Sequence, residues 1–208
     1  VQNSFSYCRN NPIKYQDLTG AIEKSVDEII EYSGCFEDDF NVLLIVHVPD
    51  VENIEEGYIG HIEVALKYFD KWRIYSYGPA SHSGITANSG SADACLKVRE
   101  GNDKWETKKY KYSSYGIAFY RPSLLIRHAI QVMSEDLGKT GEFKTPATGK
   151  YDMKNSNYDQ YSLVSGLGCV CRDYANRILT ALSIDVLNEY NSADEYFPKG
   201  FYNAYRNR

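Results

Sequence analysis

The sequence predicts an α+β domain, a central antiparallel sheet packed against helices. Three observations carry that prediction. Phe40 to Val48 (Phe-Asn-Val-Leu-Leu-Ile-Val-His-Val) is a nearly continuous apolar run, the pattern of a strand covered on both faces. The stretch 60–77 holds two strand-like segments on either side of a short turn, the pattern of a hairpin. Leu124 to Leu137 and Cys171 to about Asn188 carry apolar residues at helical spacing. With 208 residues, 43% of them hydrophobic, the chain can bury one sizeable core.

Composition narrows the function. The net charge is −5 and no run of Lys and Arg forms a basic stripe, so nucleic acid is not an expected partner. No segment approaches the ~18 consecutive apolar residues of a membrane span. Val1-Gln2-Asn3-Ser4 is not a signal peptide, and the absence of an initial Met leads us to expect a piece of a longer or processed chain. The five cysteines are irregularly spaced and imply no full disulfide framework. Cys169-Val170-Cys171 stands alone, and the four histidines lie at no standard metal spacing from it, so neither metal nor cofactor is expected. The 19 tyrosines suit polar grooves and wet interfaces.

In chain order, residues 1–20 mix aromatic and turn residues and read as an irregular arm. Residues 21–34 read as a helix with Ala21, Ile22, Val26, Ile29 and Ile30 on one face. An acidic loop leads to the strand 40–48, with His47 at its rim, and Pro49-Asp50 ends it. After a polar loop, Ile59 to Leu66 forms the next strand, Lys67 to Lys71 turns the chain, and Trp72 to Tyr77 returns. Residues 79–94 are small and polar, a long loop that carries His82. Cys95–Val98, Trp105–Tyr112 and Tyr115–Tyr120 are further strand candidates. Pro122-Ser123 opens the helix to Leu137, with Leu125, Ala129, Ile130 and Met133 inward, His128 structural and Gly138 as its cap. Residues 138–160 read as loop, and Tyr161 to Val164 as a short extended piece. Gly166-Leu167-Gly168 then feeds the last helix, whose inner face carries Tyr174, Ile178, Ala181 and Leu182. The tail to Arg208 is aromatic and polar.

That last helix starts at Cys171. A thiol there meets free backbone N–H groups and the positive end of the helix dipole, which favour the thiolate. A cysteine nucleophile also needs a base, and the base an orienting group. His61, which opens a strand after Gly60, is the leading base; His82 is the alternative base or an orienting residue. Ser76 or Tyr75 on the next strand could orient the imidazole. Glu63, at i+2 from His61 and on the same strand face, could fix its tautomer or be a solvated strand residue. Asp173 is expected to anchor the helix start.

Two resemblances add context. Asn3-Ser4-Phe5-Ser6-Tyr7-Cys8-Arg9-Asn10-Asn11-Pro12-Ile13-Lys14-Tyr15-Gln16-Asp17-Leu18-Thr19-Gly20 resembles the end of the core domain of RHS-repeat proteins, with Leu18 where proline is usual. In that family the segment that follows is typically a secreted toxin. The resemblance implies an arm at 1–20, a single catalytic domain at 21–208, delivery to a target cell and a cognate immunity protein. Gly60-His61-Ile62, Ile74-Tyr75-Ser76-Tyr77-Gly78, Tyr161-Ser162-Leu163-Val164 and Cys171-Arg172-Asp173-Tyr174-Ala175-Asn176 resemble the circularly permuted branch of the NlpC/P60 papain-like superfamily. There the Gly-His strand precedes the cysteine helix. Val170 stands where that branch has Asn, and Cys169 is a second thiol, structural or able to form an off-state disulfide. The resemblance implies attack of a thiolate on a carbonyl and a thioester intermediate. Hydrolysis of a peptide or cell-wall amide is the leading version; a lipid-directed esterase or acyltransferase is an alternative. A non-catalytic surface-binding domain is the reading from another class. A nuclease or deaminase is disfavoured by charge and by the missing His/Cys ligand pattern.

Overall fold

The computed structural model describes residues 40–50, 52, 59–80, 90–101, 112–139, 147–164 and 166–207. The arm at 1–20, the helix at 21–34, His82 and all but the last residue of the strand expected at 105–112 lie outside the described residues. Seven strands form the sheet: β1 (Val42–Pro49), β2 (His61–Tyr68), β3 (Lys71–Pro79), β4 (Ser91–Glu100), β5 (Tyr112–Phe119), β6 (Gly149–Asp152) and β7 (Gln160–Ser162). Every pairing is antiparallel, in the order β5-β1-β2-β3-β4-β6, with β7 also on β4. Three helices are described: α1 (Ser123–Asp136), α2 (Cys171–Ala181) and α3 (Pro198–Arg206). The chain is therefore α+β. Among the described residues, no helix is long and apolar enough to cross a membrane.

Alternation along the strands sorts the core. Val42, Leu44 and Val46 of β1, Ile62, Val64 and Leu66 of β2, and Tyr75 and Tyr77 of β3 face the helices. They meet Ile126, Ala129, Ile130 and Met133 of α1 and Tyr174 and Ile178 of α2. Leu43, Ile45, Ala65, Trp72 and Ile74 face the other way and pack with Phe40. Both faces of β1 are thus covered, which its unbroken apolar run requires. Several tyrosines sit in the layer between sheet and α2: Tyr77 stacks on Tyr174 at 4.9 Å, and Tyr158 meets Tyr174 edge-on.

Two buried polar side chains lock the helices in place. Asp136 accepts from the Tyr174 hydroxyl (3.1 Å), Arg177 (3.2 Å) and Asn155 (2.7 Å), tying α1 to α2. Arg172 is 3% exposed and donates to the carbonyls of Leu187 (2.6 Å), Tyr190 (2.5 Å), Glu195 and Tyr196 (3.0 Å each). Those four bonds hold the chain after α2 against its first turn.

The sequence reading needs correction in four places. Residues 91–94 of the expected loop 79–94 belong to β4, which opens at Ser91 and pairs with β3 and β7. The helix expected to reach Asn188 ends at Ala181, because Ser183 takes a left-handed conformation (φ 56°) and the chain turns toward Arg172. The tail holds α3, opened by Pro198 and seated through Phe201 and Tyr202. The expected loop 138–160 contains β6, whose Gly-Lys-Tyr-Asp sequence has no apolar alternation. Backbone pairing with β4 makes it a strand.

Candidate active site

Val170, in extended conformation, precedes α2 and leaves Cys171 as its first residue. Val170 offers no side-chain acceptor to the helix; Asp173 reaches back instead and accepts its backbone N–H at 2.8 Å. The Tyr196 hydroxyl donates to the other Asp173 oxygen at 2.6 Å. Asp173 therefore anchors the helix start. Cys171 is 2% exposed, and the Ile62 and Arg172 backbones and the Tyr161 side chain act on its thiol as donors that lower it. These donors favour a thiolate. Burial outweighs them, helped by the Asp173 charge, and the thiol is pushed up to about 11.

The contact with Ile62 lies where the sheet opens. The β1–β2 ladder runs to His47↔His61, but the β2–β3 ladder stops at Val64↔Tyr75. β2 and β3 thus part beside Ile62. Gly60 sets this end of β2: its φ is +91°, and a Cβ there would lie 2.4 Å from the His47 carbonyl oxygen. Only glycine fits both conditions.

His61 lies on the opposite face of β2 from Ile62. Its Nε2 is 2.8 Å from Ser76 Oγ and 3.7 Å from Glu63 Oε1. Burial is the main cause that pulls the imidazole down to about 4, with Glu63 acting in the other direction. Burial would raise the Glu63 carboxyl, but Arg99 foremost, then His47, holds it well below the usual carboxylate range. Arg99 Nη2 is 2.8 and 2.6 Å from the two Glu63 oxygens, and His47 Nε2 is 3.1 Å from Oε2. His47 Nδ1 is 2.8 Å from Ser114 Oγ.

The structure thus brings His61, Glu63 and Ser76 together. Cys171 meets β2 at the residue next to His61, from the other face. Tyr75 points into the helix-packed core and does not reach His61. His47, expected at a rim, is 3% exposed and part of the cluster. Glu63 is 1% exposed, so the solvated reading of that residue is excluded. Cys95, Cys169 and Cys171 are free thiols, and Cys169 Sγ lies 3.3 Å from the Asn157 carbonyl oxygen. Sequence reasoning missed His47, Arg99, Ser114 and the Tyr161 hydroxyl. Strand parity was the available signal for His47, which falls within the predicted strand 40–48; Arg99 lies one residue beyond the predicted strand Cys95–Val98. Among the described residues, no group of three or more His, Cys, Asp or Glu side chains is arranged to hold a metal ion.

Comparison with known proteins finds no match to this chain, whether among family models, curated proteins or solved structures.

Proposed function

We propose that the chain is a cysteine-dependent amide hydrolase of the circularly permuted papain-like, NlpC/P60 type, with Cys171 as nucleophile and His61 as base. The observation that carries this reading is that Cys171, first residue of α2, packs in one buried cluster with Ile62, the residue after His61, beside the point where β2 and β3 part. The order of a Gly-His strand before a cysteine helix, on an antiparallel sheet, supports it as well.

In the closed arrangement both thiol and imidazole are neutral at pH 7. Attack therefore proceeds by general-base removal of the thiol proton as substrate binds, not from a standing ion pair. Because sulfur and imidazole approach β2 from opposite faces, the proton passes to His61 through one water where β2 and β3 part, and the sulfur bonds to the carbonyl carbon. The Ile62 N–H and the Tyr161 hydroxyl, both of which act on the thiol, are the donors assigned to the oxyanion that forms beside it. The amine leaves with the proton from His61, and water resolves the thioester. In the context of the arm at 1–20, we propose a secreted effector, neutralised by an immunity protein in the producing cell and directed at a peptide or cell-wall peptide.

Peptide-resolved iodoacetamide labelling of the full chain tests the pair. Cys171 is expected to label near pH 7 at least ~10-fold more slowly in His61→Ala, whose rate then follows only the thiol's own ionisation. Equal labelling of Cys171 in wild type and His61→Ala would sink the reading.

A further inference from the structure

The second face of the sheet divides into two halves. Toward one end, Leu43, Ile45, Ala65, Trp72 and Ile74 form an apolar patch. Toward the other, five neighbouring strands each contribute polar side chains to one continuous cluster: Ser114 from β5, His47 from β1, His61 and Glu63 from β2, Ser76 from β3, Arg99 from β4. A buried cluster of this kind is costly unless every member is satisfied, and its bonds run in a defined sense. Glu63 is an ionised acceptor, so His47 Nε2, 3.1 Å from Oε2, carries a proton. Arg99 spans both carboxylate oxygens and fixes the group in rotation. Oε1 is left directed at His61 Nε2 at 3.7 Å, and Ser76 Oγ lies 2.8 Å from that same nitrogen. The carboxylate on that side of the ring favours a proton on Nε2, and the Ser76 hydroxyl, able to donate or accept, then accepts from it.

We propose that His47 and Arg99 are positioning residues that act through Glu63, together with Ser76, to hold His61 in the Nε2–H tautomer, with Nδ1 as its proton-accepting nitrogen. This rests on the reading of His61 as the base. Of the charged and titratable groups around His61, Glu63 raises its proton affinity, while His47, Arg99 and Lys97 lower it. Tyr112 stands edge-on to His47 at 6.5 Å from β5. The balance gives the variants opposite signs. Glu63→Gln lowers the imidazole's proton affinity, and Arg99→Gln raises it. A residue that served packing alone would produce no such pair.

The test is ¹⁵N-histidine NMR on the full chain, with Cys171 alkylation measured in parallel. In the wild type, His61 is expected to give a protonated-type Nε2 and an unprotonated-type Nδ1. Glu63→Gln and His47→Gln are expected to mix the two tautomers and slow Cys171 alkylation about tenfold, as loss of a partner behind a functional histidine does. Arg99→Lys is expected to restore what Arg99→Gln loses. Glu63→Gln leaves Arg99 without its carboxylate, so Glu63→Gln/Arg99→Gln, which removes both charges, carries the test if a single variant fails to fold. A wild-type Nδ1–H tautomer, or tautomers unmoved by Glu63→Gln and by His47→Gln, overturns the relay. Tautomers that behave as stated while Cys171 alkylation ignores His61→Ala overturn the hydrolase reading and leave the tautomer assignment standing.

Discussion

Two arginines, the buried Arg172 and the half-buried Arg99, handle polarity in opposite ways. On the helix side of the sheet, Arg172 spends its guanidinium on four backbone carbonyls, from Leu187 to Tyr196. The Tyr77 hydroxyl likewise donates to the carbonyls of Tyr158 and Gln160. On the other side, Arg99 binds a carboxylate, and that carboxylate faces two imidazoles. Bonds to backbone define a shape and do not titrate. A network of ionisable side chains changes state with pH and with each charge removed from it. The helix side therefore holds the nucleophile's frame, and the second face holds the groups able to move a proton.

The largest effect that separates the two is expected at Arg172. Arg172→Met removes all four bonds and leaves buried carbonyls without donors. A loss of about 3–5 kcal/mol is expected in urea unfolding at pH 7. The loss is expected to be the same at pH 6 and pH 8, because no partner of Arg172 titrates there. A loss under about 1 kcal/mol would mean that the chain after Ala181 is held by other contacts.

The second face predicts a pH signature instead. His61 has a folded value of about 4, below its ordinary 6.5. Between those values the unfolded chain binds more protons than the folded one, so stability falls as pH falls through this window. From pH 7 to pH 5 the wild type is expected to lose about 2 kcal/mol more than His61→Gln. Glu63 adds its own loss only on further acidification, since its depressed folded value stabilises the protein above the ordinary carboxylate range. Urea titrations at pH 7 and pH 5 measure the difference. Parallel curves for the two proteins would show that His61 is solvated in solution.

Sequence reasoning read the helix side better at the level of elements and the second face better at the level of chemistry. The apolar run of β1, the β2–β3 hairpin and the start of α2 at Cys171 are all legible, because apolar periodicity and turn chemistry are local signals. β6 was not legible, since Gly149 to Asp152 becomes a strand only through its partner β4. The end of α2 depends on the distant carbonyls that Arg172 binds. Glu63 and Ser76 were found beside His61 because i+2 spacing and the next strand are near neighbours in a hairpin. Arg99 and Ser114 were missed because which strands flank β2 and β1, and in what register, is a tertiary fact. Burial was the other hidden quantity. A helix-start thiol reads as acidified from sequence, whereas the fold encloses Cys171 and reverses the sign.

The smallest effect tests that reversal directly. Asp173 caps α2 through the Val170 N–H, yet its charge also raises the Cys171 thiol. Stability and reactivity should therefore separate at this residue. Asp173→Ala is expected to cost about 1 kcal/mol in urea unfolding, the usual value of an end-of-helix side-chain bond. The same change removes a negative charge beside the sulfur, so Cys171 is expected to label faster with iodoacetamide at pH 8 while Cys95, on which Asp173 does not act, serves as the internal reference. Slower labelling in Asp173→Ala would show that the frame at the helix start matters more to the thiol than the charge does, and that the backbone bonds from Ile62 and Arg172 depend on this cap.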